Sequence, residues 1–313
     1  MTDLPPMHGA VADHLRAGRL SGCGTALVTP FADDGEVDEQ ALGALVEWQI
    51  GQGVHFLVPC GSTGEAATMP PEEQARVVRL VVERADGRVP VMAGAGSNDT
   101  RRAMQLSAVM EEAGATHLLH VSPMYNKPPQ RGIVEHFRAV VEATALPVVV
   151  YNVPGRTGSN VEAQTTLEIA ELPNVVGVKE ASGNLAQIEE ILLHRPPRFS
   201  VLSGDDALTL AVMAAGGDGV ISVVSNATPA AMAALVERCA EGDFAAARTL
   251  HERLTPWMTA AFVESNPIPV KAALALLGRA RNVLRLPLVP LDGRHESTVR
   301  AALEAAGALP AFA

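Results

Sequence analysis

Residues 147–151 read Pro-Val-Val-Val-Tyr, an uninterrupted run of apolar and β-branched residues. Such a run favours a β-strand that is covered on both faces, because a strand with one face in water alternates apolar and polar residues. Strands covered on both faces are typical of parallel sheets against which helices pack. We therefore expect a fold that alternates strands and helices.

Seven further short runs of this kind occur along the chain, each followed by a stretch rich in Ala, Leu, Glu and Arg that is typical of a helix. The eight predicted strands are 24–28, 56–58, 89–93, 117–121, 147–151, 175–179, 199–202 and 219–223. The predicted helices after them are 39–51, 72–85, 100–113, 133–143, 163–171, 185–193, 207–215 and 230–241. This strict alternation predicts an α/β fold of the closed (β/α)8 TIM-barrel type.

The main alternative to a barrel is an open, doubly wound parallel sheet. That fold usually binds nucleotides through a G-x-G-x-x-G or G-x-x-x-x-G-K-[ST] signature after a strand. Gly94-Ala95-Gly96 lacks the third glycine, and the second signature does not occur in the sequence. The sequence therefore favours the barrel and gives no signal for a nucleotide cofactor.

Two segments flank the predicted barrel, which we assign to residues 21–242. Residues 1–20 are a predicted N-terminal extension, and residues 243–313 are rich in Ala and Leu, which predicts a helical C-terminal domain. The prolines expected to break its helices are Pro256, Pro267, Pro269 and those within residues 287–290.

The composition excludes several classes of function. Of the 313 residues 48% are hydrophobic, so the chain can bury a large core, and a net charge of −11 offers no footprint for nucleic acid or an anionic membrane. We find no apolar run of membrane-spanning length and no secretory leader pattern, and expect an unexported protein. The 3 cysteines are odd in number and lack C-x-x-C spacing, which favours reduced thiols, a cytoplasmic location and no metal site.

Lysine is scarce, since only three of the 24 Lys and Arg residues are lysines: Lys127, Lys179 and Lys271. Alternation along the predicted strand places Lys179 on the same face as Val175 and Gly177, inside the barrel. Burial disfavours an ammonium and so favours the neutral, nucleophilic amine, whose obvious use is a Schiff base with a carbonyl substrate. The alternative is a structural ion pair, for example with Glu180. The other two lysines are predicted to be structural cations, one on a loop and one on a helix.

A Schiff-base lysine needs a proton carrier close by. Tyr151 ends the strand before that of Lys179 and is its expected neighbour in a barrel. Its phenol can serve if Ser62, Thr63 and Tyr125, which also follow predicted strands, extend a hydrogen-bond chain toward solvent. The alternative is that Tyr151 is an aromatic residue at the barrel end whose hydroxyl caps a loop.

Further polar groups at predicted strand ends suit anionic ligands. Gly61-Ser62-Thr63-Gly64-Glu65 can present N–H groups and two hydroxyls to a carboxylate, although a tight turn is equally consistent. Arg156 lies on a loop, where its guanidinium can bind a carboxylate by two parallel hydrogen bonds or be solvated. Asp205-Asp206 precedes a predicted helix and is interpreted as its N-cap.

Six motifs at strand ends resemble, in order, those of the pyruvate-dependent class I aldolase family. They are Gly61-Ser62-Thr63-Gly64-Glu65, Tyr125-Asn126, Tyr151-Asn152-Val153-Pro154 with Arg156-Thr157-Gly158, Gly177-Val178-Lys179-Glu180-Ala181, Ser203-Gly204-Asp205-Asp206 and Gly219-Val220-Ile221-Ser222. The resemblance runs from about residue 22 to the C-terminus. Two later stretches resemble the branch that condenses pyruvate with L-aspartate 4-semialdehyde: Asn266-Pro267-Ile268-Pro269-Val270-Lys271 and Leu284-Arg285-Leu286-Pro287-Leu288.

The resemblance implies a (β/α)8 barrel with a C-terminal helical domain and a substrate held covalently, without a cofactor. Lys179 would form the Schiff base with pyruvate. Tyr151, one of Ser62 or Thr63, and Tyr125 would relay protons, and Tyr125 would be lent across the tight dimer interface of a homotetramer. The serine departs from the two threonines common in this branch but keeps the hydroxyl.

The resemblance also implies the substrate contacts: Thr63, Gly204 and Ile221 would bind pyruvate, and Arg156 would hold the carboxylate of L-aspartate 4-semialdehyde. The implied product is 4-hydroxy-tetrahydrodipicolinate, a precursor of diaminopimelate and lysine. The alternative within the family is another pyruvate-dependent aldolase or lyase, acting on N-acetylneuraminate, on 2-keto-3-deoxy sugar acids or on hydroxy-oxoglutarate. The arginine favours the first activity, because the sialate lyases lack it in the corresponding loop.

Feedback inhibition by lysine is expected to be weak or absent. Lysine-sensitive members of the family bind it with a histidine, an acidic residue and an aromatic residue at the tight interface. Here those positions correspond to Gln74, Arg102 and Met124. An arginine facing a lysine ligand is repulsive.

Overall fold

The structure is a computed structural model that describes residues 19–310, and its centre is a barrel of eight parallel strands. The strands are β1 (Gly22–Ala26), β2 (Phe56–Val58), β3 (Met92–Gly94), β4 (His117–Val121), β5 (Val148–Asn152), β6 (Val175–Glu180), β7 (Ser200–Ser203) and β8 (Gly219–Ser222). They pair in the order β2-β1-β8-β7-β6-β5-β4-β3, and a parallel bridge between Leu57 and Val91 joins β2 to the segment before β3. The predicted (β/α)8 barrel is confirmed.

Helices surround the barrel and form the C-terminal region. The α-helices of the described residues are α1 (Glu39–Gly51), α2 (Pro71–Ala85), α3 (Thr100–Glu112), α4 (Gln130–Glu142), α5 (Pro154–Thr157), α6 (Ala163–Ala170), α7 (Leu185–His194), α8 (Thr209–Ala214), α9 (Pro229–Ala240), α10 (Phe244–Ala260), α11 (Ile268–Leu276) and α12 (Glu296–Ala305). Short 3-10 helices are Ala66–Thr68, Asp206–Leu208, Val224–Asn226 and Gly293–His295. The predicted N-terminal extension lies outside the described residues apart from Arg19 and Leu20.

The run that opened the sequence analysis is buried on both faces. Val148, Val149 and Val150 are completely inaccessible to solvent, since alternate side chains point into the barrel and toward the surrounding helices. Helix starts follow local polar signals: Asp38, Asp99 and Asn184 accept hydrogen bonds from N–H groups in the first turns of α1, α3 and α7. These caps fix where each of the three helices begins, and so where the loop that precedes it ends.

The sequence prediction missed α5, one turn of helix in the loop after β5. Pro154 occupies its first turn, and Gly158 ends it in the left-handed conformation with a φ of 79°. The prediction also placed one helix over 207–215, where the chain forms a 3-10 turn before α8. The first difference matters for the site because α5 carries Arg156.

The expectation that Pro256 breaks a helix was wrong, because α10 runs through it without interruption. Proline removes one N–H donor and leaves the carbonyl of Glu252 without its helical partner. Both residues lie on the exposed side of α10, where water can satisfy that carbonyl. The buried side of the same helix packs toward the barrel, and the indole N–H of Trp257 donates to the carbonyl of Val224 at 3.1 Å.

Pro267 and Pro269 stand at the start of α11, where proline is tolerated, and residues 287–290 lie in an irregular segment as expected. Within residues 19–310, no helix combines the length and the apolar character needed to cross a bilayer.

Candidate active site at the carboxyl ends of the strands

Lys179 and Tyr151 are the central pair of the candidate site. They are register partners on β6 and β5, so their side chains leave the barrel wall at the same height. Lys179 is 4% exposed, and its Nζ lies 4.3 Å from the centre of the Tyr151 ring. Gly204 contributes to this packing, because an added Cβ there would stand 3.1 Å from Cγ of Lys179. The predicted inward orientation of the lysine is therefore observed.

The surroundings of Lys179 favour its neutral amine. Burial lowers its pKa to about 8, the nearby Arg156 acts in the same direction, and the buried Asp206 acts in the opposite one. With that pKa roughly a tenth of the amine is neutral at pH 7, against less than about 0.1% for an ordinary lysine. The amine is thus a much better nucleophile than a lysine in water.

Glu180, the alternative partner proposed for Lys179, does not pair with it. Its carboxylate accepts hydrogen bonds from the side-chain amides of Asn152 and Gln187, at 2.9 and 3.1 Å, and from the N–H of Ser182 at 2.6 Å. This buried network lies on the outer side of the same two strands and holds the loop after β5, since Asn152 also accepts from the N–H of Val161. The predicted alternative of an ion pair with Glu180 is therefore wrong.

Tyr151 is buried, and burial raises the pKa of its phenol, while the charge of Arg156 and the nearby hydroxyl of Ser62 act to lower it. The phenol is therefore protonated near neutral pH and can donate or pass on a proton. Ser62 and Thr63, the hydroxyl pair that follows β2, line the same cavities as Tyr151. The arrangement joins the amine, the phenol and the hydroxyls within one site.

These groups face two adjoining cavities, of about 450 and 190 Å³. The residues that line both are Ser62, Thr63, Tyr151, Val153, Arg156 and Lys179. Gly204 lines only the smaller cavity. Ile221 is fully buried on β8 and lines neither cavity.

Arg156 brings the only guanidinium that both cavities share within the described residues. Its side chain is exposed at the rim, and one Nη2 hydrogen is donated to the main-chain oxygen of Asn266 at 3.2 Å. The remaining donors are available for an anion, and a guanidinium suits a planar carboxylate.

Tyr125 is not brought to the site within one chain. It is 88% exposed, lies outside both cavities and has a left-handed φ of 71°, with its N–H bonded to the carbonyl of Thr157 at 3.1 Å. The side chain therefore lies away from the cavities of its own barrel, on a backbone conformation that is strained for a tyrosine.

Of the two acidic residues predicted to cap a helix, Asp205 does so and Asp206 does not. Asp205 accepts from the N–H of Ala207 at 3.0 Å, as predicted. Asp206 is instead buried and accepts from the N–H groups of Val223 and Val224 at the end of β8. Burial raises its pKa to about 6, and these hydrogen bonds oppose the shift. The sequence analysis missed the separate role of Asp206, because the sequence alone does not distinguish which of two adjacent acidic residues caps a helix and which is buried.

The other two lysines are structural, as predicted, but differ in burial. Lys127 is exposed on its loop. Lys271, on α11, is completely buried and forms an ion pair of 2.5 Å with Glu65 while donating to the carbonyl of Val283 at 2.8 Å. Its pKa falls to about 8 because of burial, against the raising effect of Glu65. This ion pair joins the C-terminal helices to the loop of the hydroxyl pair.

The three positions compared with lysine-sensitive proteins come together. Gln74, Arg102 and Met124 all line the larger cavity, together with Ser62 and Lys179. The side-chain NH2 of Gln74 is already used, because it donates to the carbonyls of Ala66 and Met69 at 3.0 and 2.9 Å. Among residues 19–310, no cluster of three or more His, Cys, Asp or Glu is placed to hold a metal ion.

Comparisons with known proteins match the chain over nearly its whole length. The model of the dihydrodipicolinate synthetase family covers residues 19–306. A protein of Oleidesulfovibrio alaskensis named 4-hydroxy-tetrahydrodipicolinate synthase is 49% identical over 92% of this chain and 99% of its own. One of the same name from Nitratidesulfovibrio vulgaris is 50% identical over the same shares.

Solved structures agree with the sequence matches. Dihydrodipicolinate synthase from Thermotoga maritima superposes with a TM-score of 0.91 and 44% identity, covering 92% of this chain and 99% of that one. The enzyme of that name from Acinetobacter baumannii, determined in complex with pyruvate, gives a TM-score of 0.91 and 40% identity over the same shares.

Proposed function

The chain belongs to the dihydrodipicolinate synthetase family and carries out the condensation of pyruvate with L-aspartate 4-semialdehyde, and we propose that Lys179 is the residue that binds the pyruvate covalently. The product is 4-hydroxy-tetrahydrodipicolinate, in the biosynthesis of diaminopimelate and lysine. The observation that carries the assignment of Lys179 is its burial at the carboxyl end of β6, facing a cavity, with a pKa of about 8.

In the first step the neutral amine of Lys179 attacks the keto carbon of pyruvate, forming a C–N bond. The carbinolamine then loses water as its hydroxyl is protonated, which leaves an iminium. Tyr151 is the group we assign to carry these protons, because it is the register partner of Lys179 and lines the same cavities as Lys179 and Ser62. No separate cofactor enters the step, since the lysine itself carries the substrate.

Loss of a methyl proton turns the iminium into an enamine, whose carbon attacks the aldehyde of L-aspartate 4-semialdehyde and forms the new C–C bond. The amine of the semialdehyde portion then attacks the iminium carbon, closes the ring and releases Lys179. One water leaves overall, which balances the condensation. Arg156, at the rim shared by both cavities, is assigned to the carboxylate of the semialdehyde.

The remaining predicted roles belong to the same proposal. Thr63 and Gly204 are assigned to the pyruvate carboxylate, supported by their positions on the smaller cavity. Ile221 is assigned to the apolar layer behind them, since it is fully buried on β8 and lines neither cavity. Tyr125 is assigned to the proton relay of a partner subunit in a homotetramer, supported by its exposure.

We also propose a cytoplasmic location. Its support is chemical: Cys23, Cys60 and Cys239 are buried, and none forms a disulfide.

The decisive experiment is a coupled assay of the purified protein with pyruvate and L-aspartate 4-semialdehyde, run beside N-acetylneuraminate and 2-keto-3-deoxy acids. Turnover only with the first pair is expected. Borohydride reduction in the presence of pyruvate, followed by peptide mapping, is expected to label Lys179. A label on another residue, or none, would overturn the assigned nucleophile even if the assay succeeds.

A further inference from the structure

The segment between α10 and α11 reaches the active site from the C-terminal region. Its residue Asn266 is 4% exposed and lines the smaller cavity together with Lys179 and Tyr151. None of the six motifs at the strand ends includes it. Its contacts nevertheless involve two of the residues assigned to substrate.

The first contact is with the hydroxyl pair. Nδ2 of Asn266 donates to Oγ1 of Thr63 at 2.9 Å. A hydroxyl has one hydrogen and can accept two, so accepting from the amide leaves the hydrogen of Thr63 free to point elsewhere. Thr63 is itself buried, and the free direction available to that hydrogen is the cavity it lines. The amide therefore sets Thr63 as a donor toward the substrate.

The second contact is with the arginine. The main-chain oxygen of Asn266 accepts from Nη2 of Arg156 at 3.2 Å. An exposed arginine samples many rotamers, and fixing one of its five N–H groups reduces that freedom while leaving the others for a carboxylate. One residue thus contacts both the donor assigned to pyruvate and the cation assigned to the semialdehyde.

The segment is itself held firmly against the loop that follows β2. Five residues after Asn266, Lys271 pairs with Glu65, which lies two residues after Thr63 and has a left-handed φ of 55°. The N–H of Arg285 donates to the other oxygen of Glu65 at 3.0 Å. The distance between Asn266 and Thr63 is therefore set by a second, buried attachment between the same two segments.

We propose that Asn266 is a positioning residue for the condensation, acting through Thr63 with its side chain and through Arg156 with its carbonyl oxygen. The inference rests on the proposed function, which assigns those two residues to the substrates. It gives a role to the start of the stretch 266–271, which the sequence analysis noted only for its resemblance to one branch of the family. The hydrogen bond from the side chain of Asn266 to Thr63 can be removed by mutation, and its removal should have an effect that depends on whether the hydroxyl of Thr63 is present.

The test is a double-mutant cycle on the full-length enzyme with Asn266→Ala, Thr63→Val and the double variant. Asn266→Ala is expected to lower kcat/KM for pyruvate about tenfold, the effect of one lost hydrogen bond in a buried site. In the Thr63→Val background the same change is expected to have an effect of less than about twofold, because the hydroxyl it orients is gone. Equal tenfold losses in both backgrounds would overturn the proposal.

The matched control is Asn174→Ala. Asn174 donates to the carbonyls of Thr144 and Leu146 at the opposite end of the barrel, so this variant loses two side-chain hydrogen bonds where Asn266→Ala loses one. We expect it to lower thermal stability without changing kcat/KM. If it lowers kcat/KM as strongly as Asn266→Ala, the kinetic effect is general destabilisation and the proposal fails.

Asn266→Asp keeps the shape and covers the case in which the alanine variant does not fold. A carboxylate only accepts, so the hydroxyl of Thr63 must turn its hydrogen toward it and away from the cavity. The aspartate variant is therefore expected to have a lower kcat/KM for pyruvate than the wild type, and this loss should shrink in the Thr63→Val background. A role in shape alone would leave kcat/KM near the wild-type value, and a loss of equal size in both backgrounds would overturn the proposal. Borohydride labelling of Lys179 in the wild-type enzyme tests the underlying function separately.

Discussion

Nζ of Lys179 lies over the ring of Tyr151, 4.3 Å from its centre, on strands that pair at these two residues. An aromatic face attracts an ammonium and so favours the charged lysine, whereas burial favours the neutral one. Burial is the larger effect, since the pKa falls to about 8. The lysine is therefore held in a state that suits its chemistry and destabilises the folded protein below that pH.

Lys179→Met is expected to abolish turnover and, at the same time, to stabilise the fold. The wild-type protein buries a protonatable amine whose pKa is lowered from 10.5 to about 8, a penalty of up to about 3 kcal/mol below pH 8. Between pH 8 and 10.5 the unfolded chain binds the proton and the folded one does not, so wild-type stability rises with pH and the advantage of the variant disappears. Urea unfolding at several pH values measures this, with the exposed Lys127→Met as the control. A less stable Lys179→Met protein at pH 7 would contradict the burial argument.

Asp206→Asn is expected to move the pH dependence of pyruvate capture to lower pH. In the wild-type enzyme, kcat/KM for pyruvate should rise through about pH 8 as Lys179 loses its proton. The negative charge of Asp206 raises that pKa, so its removal lowers it, while asparagine can still accept from Val223 and Val224. Asp205→Asn, at the helix cap, should leave the midpoint in place. A midpoint that stays or rises in Asp206→Asn would refute the assignment.

Arg156→Ala is expected to impair the second substrate far more than the first. Loss of a charge-assisted contact with a carboxylate corresponds to about a 10- to 100-fold lower kcat/KM for the semialdehyde. Borohydride trapping of pyruvate should slow less, through the higher pKa that Lys179 acquires when the neighbouring positive charge is lost. Steady-state kinetics and single-turnover trapping measure the two effects. Equal losses for both substrates would show that the arginine does not distinguish them.

Mixing two inactive variants tests the partner role of Tyr125. If each site takes its Tyr125 from the other subunit, a dimer of Tyr125→Phe and Lys179→Ala chains contains one site with both groups intact. Random exchange of subunits should then restore about a quarter of wild-type activity, because half of the dimers are mixed and each has one working site. No recovery, with exchange verified by native mass spectrometry, would place Tyr125 outside the relay.

L-lysine is expected to bind weakly or not at all to the larger cavity. The side-chain NH2 of Gln74 is occupied by two carbonyls and cannot bind the carboxylate of lysine, Arg102 repels an ammonium, and Met124 offers no ring to a cation. Activity measured at increasing lysine should stay constant, and calorimetry should detect no saturable heat. Inhibition at sub-millimolar lysine would show that other groups of the cavity create the site.

Much of the fold follows from the sequence because a parallel barrel strand is buried on both faces, as Val148 to Val150 show, and leaves an uninterrupted apolar signature. Lys179 stood out for the related reason that a charged residue ends such a run. Asp206 and Asn266 did not, since their importance comes from contacts with β8 and Thr63 that no local pattern encodes. The prediction for Pro256 was wrong because a helix can continue through a proline on its exposed side, and the sequence does not show that Pro256 lies on that side.

The pairing of Lys271 with Glu65 limits how far this protein can be shortened. A truncation after residue 242 would produce an apparently self-sufficient scaffold, yet it would remove both Lys271 and Arg285, the residues bound to the two oxygens of the buried Glu65. An engineer seeking a minimal catalyst would have to redesign Glu65 as well as trim the tail.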